Sequence, residues 1–124
     1  MSKKIQLSVV IPIASLSRIL LSFTELINEI SILEKNLEWS METLFIDNSR
    51  THSLKKRLKE LIGGRIKRYS ILLSKPLSVS NARNKGIIHS EGEYITFIDA
   101  DDGINAYAYS STIDIANKYN TDIL

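Results

Sequence analysis

The chain has 124 residues, 44% of them hydrophobic and 24% charged, with a formal net charge of +2. This is one domain of ordinary globular composition, which excludes wholesale disorder. Its charge is too small to argue for nucleic acid or an anionic membrane surface as a partner. Cysteine is absent, which excludes disulfides, thiolate zinc sites and a cysteine nucleophile.

The N-terminus reads Met1-Ser2-Lys3-Lys4, then an apolar stretch from Ile5 to Ile13 that contains Gln6, Ser8 and Pro12. It lacks a small-residue cleavage pattern, so no signal peptide is expected. No apolar run approaches the ~20 residues needed to span a bilayer, so no transmembrane segment is expected either. The expected location is cytoplasmic, with attachment to the inner face of the membrane as the peripheral variant of it.

Ile5 to Ile11 is a nearly continuous apolar run stopped by Pro12, as in a strand buried on both faces of a parallel sheet. Ser15 or Ser17 can cap a first helix, whose apolar stripe is Ile19, Phe23, Leu26, Ile27, Ile30, Leu33 and Leu37. Thr43 to Ile46 reads as a second strand ending at Asp47, and Asn48-Ser49-Arg50-Thr51 is turn and cap chemistry. Leu54, Leu58, Leu61 and Ile62 form the stripe of a second helix ended by Gly63-Gly64. Its basic residues Lys55, Lys56, Arg57 and Lys59 read as a solvated face. Tyr69 to Leu73 is a third strand. Ser80 can cap a third helix that runs to about His89, and Gly92 sits where a helix ends. Glu93 to Ile98 is a fourth strand, Ala106 to Tyr119 a fourth helix, and Asp122-Ile123-Leu124 the beginning of a fifth strand.

The order is strictly alternating. It predicts an α/β fold in which β-α units form a mainly parallel, Rossmann-like sheet with helices on both faces. Such sheets bind ligands at the carboxyl ends of their strands. Three polar segments fall there: Pro12 to Ser15, Asp47-Asn48-Ser49, and Asp99 to Asp102. The last places three carboxylates within four positions, which repel one another unless something positive gathers them. A divalent cation is one answer; an acidic turn capping the next helix is the other. Asp47 can accept a hydrogen bond from a nucleobase or a ribose, or close an Asx turn. Arg83 and Lys85 sit early in a helix, where the dipole disfavours cations, which points to a nearby anion. Asn81 and Asn84 can fix a loop or donate to a ligand. His52 and His89 read as surface residues. Glycine-rich phosphate loops are absent, so a nucleotide would be held through a metal bridging its phosphates.

Four segments stand in order along the chain: Leu7-Ser8-Val9-Val10-Ile11-Pro12, Phe45-Ile46-Asp47-Asn48-Ser49, Ser80-Asn81-Ala82-Arg83-Asn84-Lys85-Gly86-Ile87, and Gly92-Glu93-Tyr94-Ile95-Thr96-Phe97-Ile98-Asp99-Ala100-Asp101-Asp102. Together they resemble an inverting family 2 glycosyltransferase of the GT-A fold. The resemblance implies that residues 1–124 are the nucleotide-sugar-binding part of such an enzyme, ending before its acceptor-binding half. It implies a UDP-sugar as the favoured small-molecule partner, no nucleic acid, and Mn²⁺ or Mg²⁺ as cofactor. The residues it implicates at the nucleotide-sugar are Pro12, Ala14, Asp47, Ser49, Asn81, Arg83, Asp99, Ala100 and Asp101. Asp101 and Asp102 would stand nearest the metal, and Asp99 and Asp101 form a D-x-D pair. Two departures stand out. Ala14 and Ser15 occupy positions where the family usually has Tyr-Asn, and no residue matches the family's catalytic base.

Two other readings compete. Asp99-Ala100-Asp101-Asp102-Gly103 superficially resembles the D-x-D-G of haloacid-dehalogenase phosphatases. A non-catalytic packing module is the other, since an unpaired sheet edge invites self-association.

Overall fold

The computed structural model describes residues 5–37 and 40–100. The expected fourth helix and fifth strand, and with them Asp101 and Asp102, lie outside the described residues.

The elements are β1 (Ile5–Ile13), α1 (Leu20–Asn36), β2 (Ser40–Asp47), α2 (Lys55–Ile62), β3 (Tyr69–Leu73), α3 (Val79–His89) and β4 (Tyr94–Phe97). All strand pairs are parallel, and the sheet order is β3-β2-β1-β4. β1 is therefore interior and covered on both faces, which is why its sequence shows no polar alternation. Leu7, Val9, Ile11 and Ile13 point to one face and pack with Phe23, Leu26, Ile27, Ile30 and Leu33 of α1 and with Leu58 and Ile62 of α2. Val10 points to the other face, where Leu44, Ile46 and Ala82 of α3 meet it. Phe45 centres the larger core, with edge-to-face contacts to Phe23 and Tyr69 at 6.0 and 6.1 Å.

The chain winds outward from β1 to β3 with α1 and α2 on one face. It then crosses back past β1 to β4, with α3 on the opposite face. Reversing the direction of travel while keeping right-handed crossovers requires this change of face. The reversal makes the β1–β4 boundary a topological switch point, where a crevice opens beyond the strand ends.

Several local expectations are corrected. Pro12 does not stop β1, which continues to Ile13 in register with Asp47. Val10 C=O accepts from Ile98 N on the β4 side, so Pro12 faces that side too, beyond the last β1–β4 pair, where no ladder bond is asked of its ring nitrogen. Neither Ser15 nor Ser17 caps α1. Their hydroxyls bond each other at 3.2 Å, and the N-cap is Ile19, which has no side-chain cap. α3 is capped by Ser78 rather than Ser80: the Ser78 hydroxyl accepts from Asn81 N at 3.3 Å.

Gly92 is not a helix terminator, since Ser90 is the C-cap of α3. A Cβ at Gly92 would stand 2.6 Å from Ser8 Oγ and 2.7 Å from Ser8 N, so glycine is there to let the chain cross β1 at close range. That crossing is tied by a buried polar network. Gly92 N donates to Ser8 Oγ at 2.9 Å, Ser8 Oγ donates to Glu42 Oε2 at 2.6 Å, and Glu91 N donates to the same oxygen at 2.7 Å. Glu42 and Ser8 are both buried, so these bonds replace the hydration they lose.

Candidate functional site

The carboxyl ends of β1, β2 and β4 form one rim. Asp47 is paired with Ile13, Asn48 N donates to Ile13 C=O at 3.0 Å, and Asp99 follows two positions after the Phe97–Val10 pair. At the switch point this rim encloses a cavity of 330 Å³. Its floor and walls come from Pro12, Ala14 and Ser15 after β1, Arg18 and Ile19 before α1, Asn48 after β2, Val79 at the start of α3, and Asp99 and Ala100 after β4. Sequence-distant residues thus meet because parallel strands end on the same side.

Asp47 is fully buried and its carboxylate is engaged locally. Oδ1 accepts from Ser49 N at 3.0 Å and from Ser49 Oγ at 2.6 Å, and Oδ2 accepts from Leu54 N at 3.1 Å. Asp47 therefore closes an Asx turn and places its negative charge at the amino end of α2, where the helix dipole favours it. This arrangement braces the loop that presents Asn48 to the cavity.

Asn48 is 1% exposed, and its Oδ1 has no hydrogen-bond partner among the described residues. A buried amide oxygen without a donor is costly unless a ligand or water supplies one. It is the most informative polar atom of the cavity. Arg18 adds a cation to the same walls, opposite in charge to Asp99, which is exposed.

Of the residues implicated from sequence, Pro12, Ala14, Asp99 and Ala100 line this cavity. Asp47 and Ser49 are buried and bonded to each other. Asn81 and Arg83 stand elsewhere. Asn81 donates from Nδ2 to Ser78 Oγ at 2.8 Å and lines a separate groove beside β3. Arg83 lies over the Phe97 ring at 5.8 Å on the α3 face of the sheet. With α3 beginning at Val79, Arg83 and Lys85 are its fifth and seventh residues, beyond the first turn where the dipole acts most, so the expected dipole penalty is small.

Arg18, Ile19 and Val79 were not assigned from sequence, and Asn48 was placed at the rim only within the Asp47-Asn48-Ser49 segment, without a role of its own. Asn48 had a signal, its place directly after Asp47 at a strand end. Arg18 and Val79 had none, because only the tertiary fold brings the start of α3 and the approach to α1 to one opening. Among the described residues, no group of three or more His, Cys, Asp or Glu could hold a metal ion. No helix among them is long and apolar enough to cross a membrane.

Comparison with solved structures finds the same fold in S. aureus TarS. A 1–349 fragment in complex with UDP-GlcNAc superposes with a TM-score of 0.73 at 19% identity, covering 94% of this chain and 32% of that one. The same fragment in complex with UDP gives 0.69 at 18% identity, with 94% and 33% covered. The chain thus spans about a third of the length of the fragment it matches. No curated protein matches the sequence. The family description "Glycosyl transferase family 2" matches residues 8–124, nearly the whole length, and with its parallel sheet and switch-point cavity the chain belongs to glycosyl transferase family 2.

Proposed function

We propose that this chain holds a nucleotide-diphosphate sugar, a UDP-sugar in first place, in the cavity between the ends of β1, β2 and β4, as the donor-binding part of an inverting glycosyltransferase. The observation that carries this is the orphaned Oδ1 of Asn48, buried in a wall of a cavity built from three strand tips. It is an acceptor suited to the ring N–H of a base, while Arg18 supplies positive charge for a diphosphate. Pro12, Ala14 and Val79 offer apolar surface for the base, and Asp47 acts indirectly by holding the loop of Asn48. The S. aureus TarS fragment in complex with UDP-GlcNAc supports the choice of ligand class.

Asp99 stands at the rim of this cavity, and Asp101 and Asp102, which the sequence places next, are the residues proposed to hold Mn²⁺ or Mg²⁺. Bound there, the cation would neutralise charge building on the departing diphosphate. In the proposed reaction an acceptor hydroxyl gives up its proton to a general base, a role assigned to no residue of this chain, and its oxygen forms a bond to the anomeric carbon from the face opposite the diphosphate. The bond from that carbon to the phosphate oxygen breaks, and its electron pair leaves with UDP.

Calorimetric titration of UDP with and without Mn²⁺ tests this on the native chain and on Asn48→Ala and Asp101→Ala. Metal-dependent binding is expected, abolished by Asp101→Ala and weakened by about tenfold in Asn48→Ala, the loss of one or two hydrogen bonds. Binding that ignores both substitutions would refute the assignment.

A further inference from the structure

A second groove lies away from the switch point, between the carboxyl end of β3 and the flank of α3. Asn81, Asn84, Lys85 and Ile88 recur along one side of α3, and His52, Ser74 and Lys75 face them across 460 Å³ of space. The polar lining is rich in donors: two ammonium groups, two carboxamides and a hydroxyl. Among the described residues no carboxylate lines the groove. Among the described residues none pairs with Lys75 or Lys85, although Lys85 is half-buried. Ser74 Oγ is buried and has no hydrogen-bond partner there.

The frame of the groove is fixed. His52 Nε2 donates to Ser74 C=O at 2.6 Å, tying the loop before α2 to the end of β3. His52 (φ 50°) and Leu77 (φ 58°) are the two described non-glycine residues in the left-handed region, and both lie in the segments that shape the groove. Such strain persists where surrounding contacts over-determine it, and it collects at ligand sites.

We propose that this groove is a second binding site, separate from the donor cavity, and that it takes a phosphate monoester. The phosphate carries close to two negative charges at neutral pH and three acceptor oxygens. Lys75 and Lys85 compensate the charge, and Ser74 Oγ and the Asn84 amide donate to the remaining oxygens. A lone carboxylate would leave one lysine uncompensated. Leu73 and Ile88, both exposed on the groove wall, give the organic part of an ester an apolar surface that free phosphate cannot use.

The test follows backbone amide resonances of the 124-residue chain during titration with inorganic phosphate and with phenyl phosphate, against sodium chloride at matched ionic strength. Saturable shifts are expected at residues 73–75 and 81–88 with both probes, at lower concentration with phenyl phosphate. Lys75→Gln/Lys85→Gln should weaken them by about tenfold or more, as expected for two charge-assisted hydrogen bonds, with Lys85→Gln alone intermediate. UDP binding at the donor cavity should be unchanged in both variants, so the two sites succeed or fail separately. Shifts that sodium chloride reproduces, that fall only on the Pro12–Asn48–Asp99 rim, or that persist undiminished in the double variant would overturn the proposal. Equal affinity for the two probes would remove the ester and leave a free-phosphate site, which also overturns it as stated.

Discussion

Replacing Gly86 by alanine should destabilise the fold, although alanine is the better helix former. Gly86 lies in α3 where the helix crosses β1. A Cβ there would stand 2.3 Å from Val10 Cγ1, 2.9 Å from Cγ2 and 3.1 Å from Cβ. Non-bonded carbons settle at about 3.5–4.0 Å, so α3 would have to lift by roughly an ångström or Val10 would have to leave its rotamer. Val10 is fully buried, pairs with Leu44 and Phe97 on its two sides, and is β-branched, so it has no easy alternative. Helix propensity alone would favour alanine by about 1 kcal/mol. Overpacking a tight contact costs about 1–3 kcal/mol, and this contact is at the severe end. The balance is a loss of about 1–2 kcal/mol, a fall of about 1 M in the urea midpoint followed by circular dichroism. Val10→Ala removes the two obstructing methyl groups. The double variant should therefore be less destabilised than the sum of the singles by at least about 1 kcal/mol. A Gly86→Ala protein as stable as the native one, or strict additivity with Val10→Ala, would refute the reasoning.

Asp47→Ala leaves Ser49 N, Ser49 Oγ and Leu54 N without their acceptor inside a buried turn. It should cost about 2–4 kcal/mol in chemical denaturation, with Asp47→Asn losing less because it keeps an acceptor oxygen. If Asp47 served a ligand alone, stability would be untouched and only UDP affinity would fall. β3 is an edge strand of the described sheet, with Leu73 exposed on it, so the chain should form dimers or larger species through that edge. Light scattering coupled to size exclusion would show a concentration-dependent mass, and a constant monomer mass at high concentration would contradict this.

Much of the architecture was legible in the residues. The unbroken apolar run of β1 marked an interior strand. The stripe from Phe23 to Leu33 marked a helix lying on that sheet, and Gly63 marked the end of the next helix, because strand and helix periodicities are local properties. Alternation of the two then left a parallel sheet as the simplest assembly, and with it a single rim for polar strand ends. Local signals misplaced the caps. Ser15, Ser17 and Ser80 have the right chemistry, but tertiary packing decides where the first turn can begin.

Which residues share a pocket was a matter of strand order, and no local pattern carries it. Placing β4 beside β1 brings Asp99 and Ala100 to Pro12, Ala14 and Asn48, and the accompanying change of face sends Arg83 to Phe97 and Asn81 to a different groove. Contacts as close as Gly86 on Val10 and Gly92 on Ser8 likewise exist only once α3 and the β4 approach lie across β1. Hydrophobic spacing determines which elements form and which faces they bury. Close packing between elements far apart in sequence decides how those faces are matched, and so which polar groups are left facing an opening.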